Sequence, residues 1–220
     1  IEDPEGVHIR NTLHDRIECD AFIPCGGRPA TIHGGNWKNY LKEDGTPSAP
    51  VIVEGANLFL TPDARRELSN AGTLILKDSS ANKCGVICSS LEIDACMLLD
   101  EDVFMEIKDT FVEQVLIRLR ELARAEAELL ARLHQHHPHS PLPETSVRIS
   151  KMMGRVSDSL IAHWDSLTEE QEKELQRLVL ENLPEILVER VGDALWTEMP
   201  DTYLQWMMAK SLAARIVYRE

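Results

Sequence analysis

Hydrophobic positions follow two different patterns along the chain, and the change falls near Leu98. Before it, short blocks of consecutive apolar residues alternate with longer mixed segments. Asp20-Ala21-Phe22-Ile23-Pro24 reads as a short strand ending in the turn-forming cluster Cys25-Gly26-Gly27-Arg28-Pro29. Val51-Ile52-Val53 is β-branched throughout, too short for a helix, and closes at Glu54-Gly55-Ala56-Asn57. Leu74-Ile75-Leu76 is a third block of the same kind. Between them, residues 34–41 predict a helix and residues 43–47 a loop. Thr61-Pro62-Asp63 opens another helix, with Thr61 as cap, Pro62 at the first helical position and Asp63 at the positive end of the dipole; Gly72 stops it. Residues 77–81 read as a loop and 82–99 as a helix. Strand, helix, strand, helix, strand, helix predicts an α/β fold, a parallel sheet with right-handed crossovers. Uniformly apolar strands suit a sheet covered on both faces.

After Leu98 the period is helical. Val103, Ile107, Phe111, Val115, Leu119, Leu122, Leu129 and Leu133 place one amphipathic helix over residues 101–133. Pro138, Pro141 and Pro143 interrupt residues 134–143. Met152, Met153, Val156, Leu160 and Trp164 predict a second helix face, Thr168 and Gln171 a capping box for a third helix that Pro184 ends, and Pro200-Asp201 the start of a last one. The expected organisation is residues 1–98 as one half of a nucleotide-binding domain and residues 99–220 as an all-helical region.

Charge and cysteine content then narrow the chemistry. In 220 residues there are 23 Lys and Arg against 37 Asp and Glu, a net charge of -14, which argues against a nucleic-acid partner because phosphate binding needs a basic face. No apolar run approaches the roughly 18 residues of a membrane span. Cys19, Cys25, Cys84, Cys88 and Cys96 are odd in number, the pattern of reduced thiols in a reducing, cytoplasmic compartment. Cys84 and Cys88 are spaced as metal ligands could be, but no second Cys/His pair completes a zinc site, so they read as small buried hydrophobes and no metal is expected. His134, His136, His137 and His139 beside Pro138 read as a solvated linker, and the Met152-Met153 and Met207-Met208 pairs as core.

In an open parallel sheet, ligands bind at the carboxyl ends of the strands. Here those ends carry Pro24-Cys25-Gly26-Gly27, Glu54-Gly55-Ala56-Asn57 and Asp78-Ser79-Ser80-Ala81-Asn82: glycines that let main chain approach a ligand, and asparagines that both donate and accept. These motifs, with Asn82-Lys83-Cys84-Gly85-Val86, Ser89 and Glu92, resemble the second half of the nucleotide-binding domain of glutamate dehydrogenases, in the glutamate/leucine/phenylalanine/valine dehydrogenase superfamily. The insertion over residues 37–50 and the helical tail resemble its large-subunit, NAD-specific members. The resemblance implies a Rossmann-like sheet, NAD as cofactor, and L-glutamate and 2-oxoglutarate as substrate and product in a homo-oligomer. It implies that Cys25 and Gly26 lie against the adenosine and ribose of the coenzyme. It places Asn57 on the nicotinamide half, Asn82 between nicotinamide and substrate, and Ser89 on the substrate's side-chain carboxylate. The family has two glycines after Asn82 and one intervening residue; Cys84 stands at the first.

Within the chain, no G-x-G-x-x-G follows a strand, and the family's catalytic lysine and aspartate have no counterpart. Together with a first residue, Ile1, that is not Met, this predicts a piece of a longer enzyme, without catalytic residues and inactive alone. Lys77 and Lys83 read as solvated loop lysines. The competing class is a non-catalytic helical interaction or oligomerisation module on a degenerate nucleotide-binding half.

Overall fold

The computed structural model describes residues 4–26 and 28–219; Gly27 of the turn cluster and Ile1 lie outside them. The chain forms two compact units, one reaching to Lys83 and including Leu130–Val147, the other comprising Cys84–Leu129 and the residues from Arg148 onward.

The first unit opens with helix α1 (Pro4–Asn11). Its sheet has three strands, β1 (Ala21–Phe22), β2 (Val51–Val53) and β3 (Leu74–Leu76), all parallel and in the spatial order of the sequence. The register sets Ala21 beside Val51, and Val51, Ile52 and Val53 beside Leu74, Ile75 and Leu76. Between β2 and β3 runs α2 (Pro62–Asn70), where the Thr61 hydroxyl accepts a hydrogen bond from the Ala64 amide. After it the chain turns at Gly72 with φ at +100°, a value that costs a glycine least.

Among the described residues the connection from β1 to β2 holds no full helix. Residues 34–41 make only a single 3-10 turn, Trp37–Tyr40, because Asn36 and His33 spend their side chains on nearby main-chain amides and carbonyls. The segment following β3 is not a loop but a one-turn helix, α3 (Asp78–Ala81), whose Ser79 amide donates to the Asp78 carboxylate at 2.8 Å. Ile32, Tyr40, Ala49, Ile52, Phe59, Leu60, Ala64, Leu68 and Ile75 form the buried core around these strands.

The second unit is helical. The helix expected from Asn82 begins two residues later, as α4 (Cys84–Leu98). The long helix expected over 101–133 is α5 (Glu101–His136), so two of the clustered histidines end a helix instead of lying in a linker. Along its stripe Ile107, Phe111, Val115 and Leu129 are buried. Then come α6 (Leu142–Ala162), α7 (Glu169–Leu180) and α10 (Asp201–Arg219), with α8 (Glu185–Val191) and α9 (Ala194–Thr197) in the interval that pattern alone left blank. Thr168 and Gln171 form both bonds of the capping box, at 2.9 and 3.3 Å. Leu187 and Leu195, on the two short helices, are fully buried beside Leu175, Val179, Leu204 and Met208. The methionine pairs divide: Met208 is core, whereas Met152 is about half exposed, a position off the apolar stripe. Among the described residues no helix is long and apolar enough to cross a membrane.

All five cysteines are free thiols. Cys84 and Cys88 are half-buried, Cys88 packing against the core from its edge, while the sealed residues of α4 are the later Leu91, Asp94 and Ala95.

A candidate ligand site at the carboxyl edge of the sheet

Glu54 follows the last residue of β2 and is completely buried. A carboxylate there needs a partner, and Arg65, the fourth residue of α2, supplies it: Nε donates to Oε2 at 2.7 Å and Nη2 to Oε1 at 2.9 Å. The same guanidinium lies 3.4 Å from Asp78 Oδ2. Asp78 is also 2.5 Å from Lys77 Nζ, so Lys77 is not solvated but tied to the sheet edge. Burial pushes the Asp78 carboxyl up, and the Lys77 ammonium, the Leu58 amide and Arg65 together outweigh it, leaving Asp78 below the ordinary carboxylate range.

These carboxylates grip the loop after β2. Leu60 donates its amide to Glu54 at 3.1 Å and Leu58 its amide to Asp78 at 2.9 Å. Leu58 holds φ at +56°, costly for a branched side chain, while its carbonyl accepts from Ala30 at 2.8 Å. A residue fixed at both amide and carbonyl can keep such a conformation; a free loop residue would relax out of it.

The loops after the three strands meet on this support. Ala56 donates to the Pro24 carbonyl at 2.6 Å. Gly55 suits this close approach: a methyl at its α-carbon would lie 3.0 Å from Cys25 Sγ and 3.1 Å from the Pro24 oxygen. Asn82 donates its side-chain amide to Asn57 Oδ1 at 2.6 Å and lies 3.3 Å from the Gly55 carbonyl. Thus four of the residues singled out by sequence, Cys25, Gly26, Asn57 and Asn82, gather in the first unit at one end of the sheet. Cys25, Gly26 and Asn57 are exposed, and Asn82 is half-buried.

Beside Gly26 opens a cleft of about 920 Å³, bordered by Val7, His14, Phe22, Arg28 and Phe59. His14 stacks on Phe22 with ring centroids 5.8 Å apart and meets Phe59 edge-on. Burial holds the His14 imidazole below its ordinary value, with Asp15 opposing, so the ring favours its neutral form. Sequence reading missed both His14 and the Glu54–Arg65–Asp78 cluster. For Glu54 a signal existed: a carboxylate directly continuing a fully apolar parallel strand must be buried and matched.

Ser89 is an exposed residue of α4 in the second unit. Since α4 starts at Cys84, the seven residues from Asn82 to Ser89 are not two turns of one helix; Asn82 sits in the turn that closes α3. Cys84 directs its thiol to the Leu119 carbonyl of α5 at 3.8 Å.

Comparison with known proteins decides the lineage. The family model described as Glutamate/Leucine/Phenylalanine/Valine dehydrogenase matches residues 4–131. The chain belongs to this family. It is 36% identical over 231 residues to the NAD-specific glutamate dehydrogenase of Neurospora crassa, covering 97% of this chain and 21% of that protein. With the NAD-specific glutamate dehydrogenase of Saccharomyces cerevisiae it shares 30% over 233 residues, again 97% of this chain and 21% of that protein. A glutamate dehydrogenase of Thermotoga maritima is 35% identical over 89 residues, 40% of this chain and 20% of that protein. The chain therefore spans about a fifth of the length of the first two relatives. No solved structure matches it.

Proposed function

We propose that this dehydrogenase-family chain is part of a longer NAD-dependent glutamate dehydrogenase that deaminates L-glutamate oxidatively to 2-oxoglutarate and ammonia. The observation that carries the reading is the meeting of Cys25-Gly26, Asn57 and Asn82 at the carboxyl edge of three parallel strands in a chain of this family. Residues 1–98 would form the C-terminal half of the dinucleotide-binding domain and residues 99–220 its helical C-terminal region.

The residues present fit a dinucleotide. Gly26 has open space above its α-carbon at the mouth of the cleft, which suits adenosine and ribose. The exposed Asn57 offers an amide that can donate while its oxygen is held by Asn82, which suits a carboxamide. NAD, when bound, accepts the hydride leaving the substrate's α-carbon. This chain's residues bind and orient. Asn82 fixes Asn57, Asn57 and Cys25-Gly26 hold the coenzyme, and Ser89 donates its hydroxyl to the substrate's distal carboxylate. No general base for the amine and water steps stands among the residues assigned here, so the catalytic residues belong to the longer protein. Free thiols at all five cysteines suit a cytoplasmic enzyme, and a homo-oligomer is the assembly we assign to it.

Steady-state assay of the longer protein with glutamate and each nicotinamide coenzyme tests this. Glutamate-dependent reduction of NAD is expected. Its absence, with the protein folded, would favour a non-catalytic module instead.

A further inference from the structure

Deepening that reading, we infer that Arg65 is a positioning residue for the coenzyme, acting through Asn57 and never touching the ligand. One buried guanidinium binds the groups that terminate two neighbouring strands, Glu54 after β2 and Asp78 after β3. Each carboxylate also accepts one main-chain amide of the loop between Gly55 and Leu60, Leu58 on Asp78 and Leu60 on Glu54. That loop carries Asn57, and the far side of Asn57 is held by Asn82. The chain of contacts is continuous: Arg65 to the carboxylates, the carboxylates to the Leu58 and Leu60 amides, and the main chain to the Asn57 side chain.

The energetics point the same way. Arg65 is 5% exposed and Glu54 is 0%. Removing such a pair from water costs about what the pair regains, and well-packed apolar residues of similar volume are often no less stabilising. What apolar residues cannot do is direct two main-chain amides. The strained backbone at Leu58 shows that direction is being imposed here, since nothing local to a leucine favours φ of +56°. A displacement of about 1 Å at a binding group is enough to cost two orders of magnitude in function.

The test uses the longer protein, purified as wild type, Arg65→Lys, Asn57→Ala and the double variant, with NAD affinity measured by calorimetry and unfolding followed in parallel. Lysine keeps the charge and loses the two-pronged geometry. We expect Arg65→Lys to weaken NAD binding by roughly tenfold or more in the wild-type background. In the Asn57→Ala background the same change should weaken it by less than about twofold, because a residue that acts through Asn57 has nothing left to position. Glutamate KM at saturating NAD should stay near wild type. A purely structural role would lower the unfolding temperature and leave the two losses additive; additivity, or unaltered NAD affinity in a folded Arg65→Lys protein, overturns the inference. Should Arg65→Lys fail to fold, Glu54→Gln replaces it with the same expectations. A wild-type protein that binds no NAD would defeat the proposed function itself, and that outcome is separable because it is read before any substitution is made.

Discussion

Adding a single methyl group at Gly55 should cost the protein stability out of proportion to its size. Gly55 does not hold a positive φ, so alanine suits its backbone and the substitution isolates packing from conformation. The new carbon would lie 3.0 Å from Cys25 Sγ and 3.1 Å from the Pro24 carbonyl oxygen, where ordinary contact begins at 3.4 Å. The two neighbours differ in how they can yield. Cys25 is exposed and its thiol can rotate away. Pro24 cannot: it is buried, its oxygen belongs to the main chain, and the Ala56 amide holds it at 2.6 Å. The loops after β1 and β2 must therefore part by a few tenths of an ångström, at the expense of that hydrogen bond. Overpacking of this kind costs about 1–3 kcal/mol, which in a chain of this size lowers Tm by roughly 2–4 °C per kcal/mol. Thermal unfolding of wild type, Gly55→Ala, Cys25→Ala and the double variant separates the contributions. Cys25→Ala should restore part of the loss and leave the carbonyl contact in force. A Gly55→Ala protein melting within about 1 °C of wild type, or complete rescue by Cys25→Ala, would refute the close approach on which the site geometry rests.

Other consequences are as specific. Thr168→Ala removes one half of the capping box at α7 and should cost about 1 kcal/mol in chemical denaturation, with the midpoint shifted and the slope kept. Asp94 is 4% exposed; burial raises its carboxyl above 3.8, against the Tyr203 hydroxyl, which donates to it at 2.7 Å, and against Lys210. A raised folded-state value means that stability from this group is highest below 3.8 and falls as pH climbs through the folded value. Asp94→Asn keeps an acceptor for Tyr203 and loses the titration, so its Tm relative to wild type should improve between pH 4 and 7; an unchanged difference across that range would count against the assignment. In the longer enzyme, Ser89→Ala should lower kcat/KM for glutamate by roughly ten- to hundredfold, the worth of one charge-assisted hydrogen bond, with NAD affinity unmoved in the same assay.

The legible parts of this fold are those that local physics decides. Three short apolar blocks became three parallel strands, sealed at Ile52 and Ile75, and Thr61 and Thr168 started helices because their side chains satisfy a first free amide. The misreadings arose where side chains capture nearby charged or main-chain groups, an event that periodicity does not register. Lys77 looks like any loop lysine, yet its ammonium lies 2.5 Å from the adjacent Asp78 carboxylate, which Arg65 of α2 in turn fixes at 3.4 Å. Residues 34–41 include the poor helix formers Gly34, Gly35, Asn36 and Asn39, and the side chains of Asn36 and the preceding His33 capture main-chain groups a helix would use. At the sheet edge, motif and resemblance singled out Cys25, Gly26, Asn57 and Asn82, of which the first three are exposed and Asn82 is half-buried. The support beneath them, Glu54, Arg65 and Asp78, is spread over 25 residues of sequence and has no periodicity to betray it.

Hydrogen–deuterium exchange on the longer protein, with and without NAD, tests most directly whether this edge of the sheet receives the coenzyme. The account predicts that NAD slows exchange in residues 25–26, 55–60 and 78–83 together, because the three loops share one support and one ligand. Protection confined to other segments, with these amides exchanging at the same rate in both states, would contradict it.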